Sequence, residues 1–578
     1  MVKINLAVIE MISVSLPGVR IIRRIDRTDD HSSTGGRVRA HWVAPRDAVT
    51  PPATRQRYLD QGLWDDATLA GRVLHHAQAM PDAIAVVDGA GRYSYGRLCS
   101  DAAAVTAGLS ELGVEPGTVV SVQLPNRYEF AVLAVAVQSM GAVINPLLPN
   151  YRARELGAVF TTAAPRVIVT PADYRGFDHR SLITDVSEAT GIRPHHVVVG
   201  GEPGAKATAY AHLASSSTGS LEAGRGEAVS ELIFTSGTEA RPKAIMHTEQ
   251  TANFSVRVAR SDLGLSDDDV VWMPSPLGHS TGFNYGLRFA LYHGLRLVLQ
   301  DRWNGEAAAA LVEAEQCSYT LAAATFLQDL VEAVDHRSAS LGSLRFFGCG
   351  GAAVPPALVD AAIERGVQVL RLYGSTEVLV ATWNRPGSSL DQRRRTDGTP
   401  LSHVDIEVRD DRGDQVGPDQ PGELAIRGPN TCVGYFDDPE RTAVTFVDGW
   451  VLSGDLVTEG RDGSMTVVGR KKEIIIRGGI NITPREVEEM LALFPEIERA
   501  AVVGLPDERL GERMCACVVL HRGASLDLPT MVGRLTQAGL ATYKLPERLE
   551  VVDSLPTTAS GKITKHEIVR TLMQAESE

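Results

Sequence analysis

One stretch of the chain combines small, hydroxyl-bearing and basic residues in a way that suits phosphate binding. It runs from Phe234 to Lys243, reads FTSGTEARPK, and follows the apolar pair Leu232 and Ile233, which indicates the end of a strand. Small residues let a loop backbone approach a polyanion, so that amide hydrogens, hydroxyls and the lysine ammonium can bind phosphate oxygens. It is not a Walker loop, because Ala244 stands where a magnesium-binding serine or threonine is required. Alone, the stretch is equally compatible with an ordinary surface loop.

Three further segments place polar side chains at the ends of apolar runs. They are Arg371–Glu377 (RLYGSTE), Trp450–Asp455 (WVLSGD) and Pro556–Lys562 (PTTASGK). The first offers an aromatic ring that can stack on a base and a carboxylate that can hold magnesium. The second offers a carboxylate suited to vicinal ribose hydroxyls, and the third offers a lysine after a turn of small residues. Each also has a plainer interpretation, namely a strand-to-turn junction, a turn aspartate and a solvated surface lysine.

The composition is that of a globular protein with more than one domain. At 578 residues the chain is too long for a single hydrophobic core, and 44% of its residues are hydrophobic and 22% charged. The formal net charge of -14 argues against a nucleic-acid-binding surface. The six cysteines are scattered without metal-ligand spacing, which fits a reducing cytosol and predicts a cytoplasmic protein. The apolar N-terminal segment is interrupted by Glu10 and Pro17 and is too short to predict a transmembrane helix.

The order of helix-like and strand-like segments predicts an α/β protein. From Leu69 to about residue 400, amphipathic helices alternate with short apolar strands, which is typical of βαβ units and parallel sheets. Strand-like segments then dominate up to Arg470 and indicate a β-rich subdomain. We therefore expect a large N-terminal domain over residues 66–469, made of α/β subdomains plus the β-rich subdomain, and a small mobile α+β domain over 470–578. Residues 1–65 form an N-terminal extension that could be a partly disordered leader.

Taken in order, these segments resemble the motifs of the adenylate-forming superfamily, which includes acyl-CoA synthetases, luciferases and peptide-synthetase adenylation domains. The similarity runs from about Leu69 to the C-terminus, in the family's order and at its spacing. The matching segments are 234–243, Pro276–His279, Tyr373–Glu377, Gly422–Leu424, Ser453–Asp455, Gly469–Lys472 and Ser560–Lys562. The resemblance implies an acyl-CoA synthetase that uses ATP and Mg²⁺ to form an acyl-AMP intermediate and then uses CoA to form the thioester, releasing AMP and pyrophosphate.

The resemblance also implies a role for each matching residue. Lys562 would be the adenylation lysine, and Glu377 and Thr238 would be catalytic residues that also hold Mg²⁺. The residues implied to bind ATP and AMP are Thr235, Ser236, Gly237, Thr238, Lys243, Tyr373, Gly374, Ser375, Thr376, Asp455 and Arg470. Lys472 would be the hinge about which the C-terminal domain turns between half-reactions. Gly478 and Gly479 would border the CoA channel after that rotation.

The segments that line the acyl pocket in this family contribute small and aromatic residues here. They include His279, Phe283, Ala323, Ala324, Gly348 and Gly350. Such a set predicts a roomy, apolar cavity without a fixed charge, and it disfavours amino acids, whose ammonium group needs a buried acidic partner. Hydroxybenzoate-activating members of the family carry an asparagine where this chain has Ser280. The expected substrate is therefore a hydrophobic carboxylic acid, either fatty, alicyclic or aryl.

Two other interpretations stay open. An acyl-AMP ligase would pass the acyl group to a separate carrier protein, and consumption of free CoA is the observation that separates it from a synthetase. The second interpretation is a non-catalytic adenylate-binding homologue. The chain argues against it because it retains together Lys243, Glu377, Asp455 and Lys562. The expected partners are thus the acid, CoA or a carrier protein, with no nucleic acid and no transmembrane segment.

Overall fold

The computed structural model describes residues 49–215, 219–235, 242–336, 340–351, 354–477, 480–507, 509–558 and 562–577. Within these ranges the strands form four large sheets and one small hairpin, Asp173–Tyr174 with Phe177–Asp178. This arrangement confirms the predicted α/β class, with a large N-terminal part and a smaller C-terminal part. None of the helices in the described ranges is long and apolar enough to cross a membrane.

The first large sheet, called here the nine-stranded sheet, has a parallel centre and antiparallel edges. Its strands, in spatial order, are Thr399–Pro400, Leu379–Trp383, Gln368–Ser375, Phe346–Gly350, Tyr319–Ala322, Val270–Met273, Arg296–Leu299, Ile84–Asp88 and Gly91–Ser94. The central strands are buried on both faces, which explains why they appear in the sequence as unbroken apolar runs. Because parallel strands end at the same edge, the segments that follow them meet there.

The second sheet has seven strands and carries the phosphate-loop candidate. Its strands, in spatial order, are Lys243–Thr248, Val229–Thr235, Val143–Pro146, Val119–Val122, Val167–Pro171, His195–Val199 and Thr208–Ala209. The first two form an antiparallel pair in which Thr235 lies opposite Lys243. The two ends of the candidate loop are therefore held side by side.

Two smaller sheets complete the described chain. The β-rich sheet, as predicted, contains Asp405–Arg409, Pro421–Arg427, Phe446–Val447, Trp450–Glu459 and Met465–Arg470. The C-terminal sheet contains Ile475–Arg477, Ile480–Ile482, Ile497–Asp507, Gly511–Leu520 and Arg548–Val551. Cys515 and Cys517 both lie buried in this sheet, two residues apart on one strand, and their sulfurs are 3.9 Å apart.

Helices cover the faces of these sheets. In the N-terminal part they are Pro52–Asp60, Leu69–Ala79, Tyr95–Glu111, Tyr128–Ser139, Ala153–Ala163, His179–Thr190, Tyr210–Leu213, Glu249–Leu263, Ser280–Gly282, the π-helix Phe283–Arg288, Phe289–His293, Gly305–Ala314, Ala324–His336, Pro356–Glu364, Leu390–Arg395 and Pro439–Thr445. In the C-terminal part they are the 3-10 turn Lys471–Glu473, Pro484–Leu491, Leu528–Gln537, the 3-10 turn Thr542–Lys544 and Lys565–Ser577. The Thr248 side chain accepts from Thr251 N–H and so starts the helix Glu249–Leu263 directly after its strand.

The described end of the N-terminal extension packs on the large part of the molecule. Val49, Tyr58 and Trp64 are all buried, and the Trp64 indole N–H donates to the Pro429 carbonyl at 2.9 Å. The helix Pro52–Asp60 thus lies over the β-rich region rather than apart from it. The boundaries placed after residues 65 and 469 stay predictions.

Candidate active site

Asp455 lies between a phenol and a guanidinium. The Tyr373 hydroxyl donates to Asp455 Oδ2 at 2.7 Å, and Arg470 Nε lies 2.9 Å from Oδ1. Strand pairing sets up this contact, because Asp455 on Trp450–Glu459 is directly opposite Arg470 on Met465–Arg470. Burial and then the carboxylate raise the pKa of Tyr373 well above its usual value, so the hydroxyl keeps its proton and donates it. Three side chains assigned to the nucleoside are thereby brought together.

A second carboxylate, Glu377, stands beside Lys243. Lys243 Nζ lies 3.5 Å from Glu377 Oε1, and the Tyr435 hydroxyl donates to the same oxygen at 2.8 Å. The two charged side chains are only 26% and 14% exposed, so each is held by the protein yet open to a ligand. Burial and the nearby carboxylate raise the pKa of Tyr435, which therefore remains a donor. Within the described residues, no group of three or more His, Cys, Asp or Glu could bind a metal by itself.

His247 joins the hairpin of the phosphate-loop candidate to the segment that carries Glu377. Its Nε2 donates to the Thr376 carbonyl at 2.7 Å, and its Nδ1 lies 3.0 Å from Thr251 Oγ1. Because a carbonyl oxygen only accepts, the proton must sit on Nε2. Burial lowers the pKa of His247 to about 4, so the ring is neutral at neutral pH. Sequence reasoning missed this residue, and the only available signal was one histidine within the apolar strand Lys243–Thr248.

Lys562 reaches from the C-terminal part to the end of a strand in the nine-stranded sheet. A Cβ atom added to Gly351, the residue after Phe346–Gly350, would stand 3.8 Å from Lys562 Nζ. Lys562 has exposed surface, but nearby protein atoms reduce the hydration of its ammonium. This desolvation, followed by the Arg470 guanidinium, lowers the pKa of Lys562. The ammonium therefore lies within electrostatic reach of the side chains assigned to the nucleotide.

The side chain of His279 lies near the Lys562 ammonium and is uncharged. The Thr281 N–H donates to His279 Nδ1 at 3.2 Å, which caps the short helix Ser280–Gly282. Burial, with a smaller effect of the Lys562 charge, lowers the pKa of His279 to about 4. The imidazole is therefore neutral at neutral pH, as expected of a pocket for an apolar acid.

The two glycines predicted to enlarge the acyl pocket have no empty space above them. A Cβ atom on Gly348 would stand 3.0 Å from Trp383 Cζ2, and one on Gly350 would stand 2.7 Å from Leu372 Cδ1. Trp383 has 0% exposed surface. An indole and a leucine from neighbouring strands therefore fill the room directly above these glycines, and the roomy acyl cavity stays a prediction.

The other assigned pocket residues occupy different depths. Phe283 has no exposed surface and packs near Phe130, with ring centroids 6.3 Å apart, so its ring belongs to the core. Ala323 and Ala324 are half-buried where the strand Tyr319–Ala322 ends and the next helix begins. They lie at the same sheet edge as Gly351.

Some assigned residues cannot be placed. Ser236, Gly237, Thr238, Gly478 and Gly479 lie outside the described residues. Gly374 and Ser375 continue the strand of Tyr373, and Thr235 ends the strand before the candidate loop. Lys472 lies on the exposed 3-10 turn Lys471–Glu473, at the start of the C-terminal part.

Fold and site together define an adenylate-forming ligase. Residues 73–436 match the family model described as AMP-binding enzyme, and residues 486–562 match the model described as AMP-binding enzyme C-terminal domain. The chain is 38% identical over 528 residues to the medium-chain fatty-acid–CoA ligase of Escherichia coli (strain K12), covering 90% of this chain and 93% of that protein. It is 34% identical over 535 residues to the salicyl-AMP ligase / salicyl-S-ArCP synthetase of Mycobacterium tuberculosis (strain ATCC 25618 / H37Rv), covering 90% and 94% respectively.

A solved structure agrees with this fold. The anthranilate CoA ligase AuaEII in complex with anthranoyl-AMP superposes with a TM-score of 0.81 at 23% identity, over 89% of this chain and 99% of that chain. That likeness concerns the fold alone. With the sequence matches, the chain belongs to the AMP-binding enzyme family and is an AMP-forming acid–thiol ligase.

Proposed function

We propose that this protein is an acyl-CoA synthetase that activates a hydrophobic carboxylic acid as its acyl-AMP and transfers the acyl group to CoA. The observation that carries the proposal is the position of Lys562, whose ammonium stands beside Gly351 at the edge of the nine-stranded sheet. Ala323 and Ala324, two residues assigned to the acid's pocket, lie at this edge, and Asp455 and Glu377 act on the same ammonium electrostatically. In this proposal one cation would lie between the acid and the nucleotide.

The nucleotide is held at two points. Asp455, oriented by Tyr373 and Arg470, would accept hydrogen bonds from the ribose hydroxyls, since each of its oxygens has a second lone pair to offer. The loop between Thr235 and Lys243 would cradle the phosphates. Mg²⁺ fits this side of the site, because it favours one carboxylate together with phosphate oxygens, and we assign it to Glu377 and Thr238, where it would offset phosphate charge.

In the first half-reaction, a carboxylate oxygen of the acid attacks the α-phosphorus of ATP and the bond to pyrophosphate breaks. Negative charge is then shared between the α-phosphate and the leaving pyrophosphate. Lys562 stabilises the former and Lys243 the latter, and both cations are in place before the reaction, which is where electrostatic catalysis gains most. The neutral His279 does not compete for the acid's carboxylate.

In the second half-reaction, the CoA sulfur attacks the acyl carbonyl, the bond to AMP breaks, and the thiol proton is lost to solvent. In the described arrangement Lys562 stands beside Gly351, where the acyl carbonyl would lie. We therefore propose that the C-terminal part turns about Lys472 after adenylation, which withdraws Lys562 and brings Gly478 and Gly479 to the CoA channel.

The class of acid is supported by the charge of the pocket. None of the residues assigned to it carries a carboxylate, and the pKa of its histidine is lowered to about 4. The relative named for a medium-chain fatty acid fits a hydrophobic acid. All six cysteines have free thiols, in keeping with a reducing cytoplasm.

Product formation over many turnovers tests the proposal. Purified protein with ATP, Mg²⁺, a panel of alicyclic, aryl and fatty acids, and CoA should release pyrophosphate continuously and produce an acyl-CoA identified by mass. Release that stops near one equivalent per protein despite CoA would favour a carrier protein as acceptor, as the name of the salicyl-S-ArCP synthetase implies for that relative. Absence of release with every acid would contradict the proposal.

A further inference from the structure

Five residues lie on one face of the nine-stranded sheet, on the strands that carry the acyl-pocket assignments Gly348 and Gly350 and on their neighbours. Gly348 is opposite Leu321, and Gly350 is opposite Leu372. Leu372 is in turn opposite Trp383 on the edge strand. Cross-strand partners share a face, as do residues two apart on one strand, so all five side-chain positions lie on the same side.

The helical segment that begins at His279 covers this face. The Tyr285 ring meets the Trp383 indole edge-on, with centroids 6.0 Å apart. The Tyr285 hydroxyl is held in turn, because it accepts from Val380 N–H at 2.8 Å and lies 2.5 Å from Ser255 Oγ. The Trp383 indole therefore packs between the Tyr285 ring, which is held by its hydrogen bonds, and Gly348.

The depth of the assigned acyl pocket can be judged from one exposed glycine and one buried tryptophan. Gly351 is exposed beside Lys562, where the carboxylate of the acid must lie to react, whereas Trp383 is 0% exposed. Gly351 comes directly after the strand Phe346–Gly350, so Gly348 lies two strand residues, about 7 Å, inside the edge of the sheet. The indole closes the space at that depth, since a Cβ atom on Gly348 would stand only 3.0 Å from it.

We infer that Trp383 is a specificity-determining residue that ends the acyl pocket, so that the preferred acid is compact. A single alicyclic or aromatic ring, or a short branched chain, fits between Lys562 and the indole, and an extended chain of ten or more carbons does not. The inference rests on the proposed function, and it narrows the substrate class of the same site. Trp383 Nε1 has no hydrogen-bond partner among the described residues, so replacing the indole leaves no polar partner unpaired.

Full-length wild type, Trp383→Phe and Trp383→Ala test this with cyclohexanecarboxylate, benzoate and decanoate. Acid-dependent pyrophosphate release with CoA gives kcat/KM for each acid. Wild type should favour the better ring acid over decanoate at least tenfold, and the ratio should fall in the order wild type, Phe, Ala, with decanoate gaining at least tenfold in the Ala variant. A melting curve on each variant checks that it is folded.

Gly348→Ala is a second variant that leaves the indole in place. Its added methyl would push the indole toward the pocket, so activity on the ring acids should fall more than activity on propionate. A wild type that uses decanoate as well as ring acids, or a ratio unchanged in folded Trp383→Phe and Gly348→Ala, would overturn the inference while leaving the synthetase intact. Absence of release with every acid would instead overturn the proposed function, and this inference with it.

Discussion

Lys565 Nζ lies 3.0 Å from Glu473 Oε2 and 2.9 Å from Glu488 Oε1. Lys565 begins the last helix, three residues after Lys562, and Glu473 closes the turn that carries Lys472. The ion pair therefore ties the segment of the assigned adenylation lysine to the assigned hinge. Within the C-terminal part, the position of Lys562 depends on this link.

Glu473→Gln should weaken the link without removing any group from the site. Partly buried ion pairs contribute about 1 kcal/mol, so adenylation should slow about fivefold, while the KM for ATP changes little. Acid-dependent ATP–pyrophosphate exchange measures this. Glu550→Gln is the matched control, since it breaks a similar pair with Arg548, at 2.6 Å, elsewhere in the C-terminal part. Equal effects of both variants would contradict a link to Lys562.

Asp455→Asn should weaken ATP binding. The change removes the negative charge that Tyr373 and Arg470 hold in place, and a hydrogen bond to a charged group is worth about 1.5–3 kcal/mol, so the KM for ATP should rise roughly tenfold or more. Asp405→Asn is the control, because Asp405 pairs with Arg427 at 2.9 Å on the same β-rich sheet but is 54% exposed. An unchanged KM for ATP in Asp455→Asn would refute the ribose assignment.

His247→Ala should slow adenylation through the position of Glu377. Loss of the hydrogen bond to the Thr376 carbonyl frees the segment before Glu377, and a cost of about 1–2 kcal/mol corresponds to roughly a tenfold lower kcat. His293→Ala provides the comparison, since His293 Nε2 also bonds a backbone carbonyl, that of Val256, at 3.2 Å. Both variants should lose stability in melting curves. Only His247→Ala should also lose adenylation activity by more than its loss of stability explains. Equal losses of adenylation activity in the two variants would mean that His247 has only a structural role.

Stability should fall as the pH drops from about 6.5 toward 4. Burial lowers the pKa of His196, His247 and His279 to about 4 and that of His293 to about 3. In this window the unfolded chain binds protons that the native chain does not, so each histidine costs up to about 1.4 kcal/mol per pH unit. Glu231 acts in the opposite sense, because burial raises its pKa to about 7 and its native form binds a proton that the unfolded form has lost.

Unfolding free energies at pH 7, 6 and 5 check this slope. His196→Gln should reduce the slope of the unfolding free energy against pH by up to the contribution of one proton. The reason is that His196 is buried against Thr170, with Nε2 2.8 Å from Oγ1. A wild-type stability that stays constant from pH 7 to pH 5 would contradict the account of the buried histidines.

The elements that position the site could be predicted where the signal is local. The alternation of amphipathic helices and short apolar strands expected from Leu69 onward is present, beginning with the helix Leu69–Ala79 and the strand Ile84–Asp88. Gly141, just after the helix Tyr128–Ser139, has the positive φ of 64° that suits a glycine at a helix end. The family resemblance, carried by short motifs in order, was confirmed by the matches to the family models.

Contacts between distant segments could not be predicted. His247 and the Thr376 carbonyl are 129 residues apart, and Glu377 and Tyr435 are 58 residues apart, so no local pattern links them. The side chains that fill the space above Gly348 and Gly350 could not be predicted for the same reason. The glycines at 348 and 350 indicate small volume on their own strand, but the space above them belongs to side chains of other strands. The roles assigned to individual site residues stay predictions.

The central claim is that Lys562 serves adenylation, and the two half-reactions measured separately in Lys562→Ala test it most directly. Acid-dependent ATP–pyrophosphate exchange should fall by a factor of 100 or more, since a preorganised donor to developing charge is worth about 3–4 kcal/mol. Thioester formation from supplied acyl-AMP and CoA should stay within a few-fold of wild type. Lys544→Ala, which breaks the 2.6 Å pair with Glu486 in the same part of the chain, should leave both rates unchanged. Equal loss of both half-reactions in folded Lys562→Ala, or normal exchange, would contradict the account.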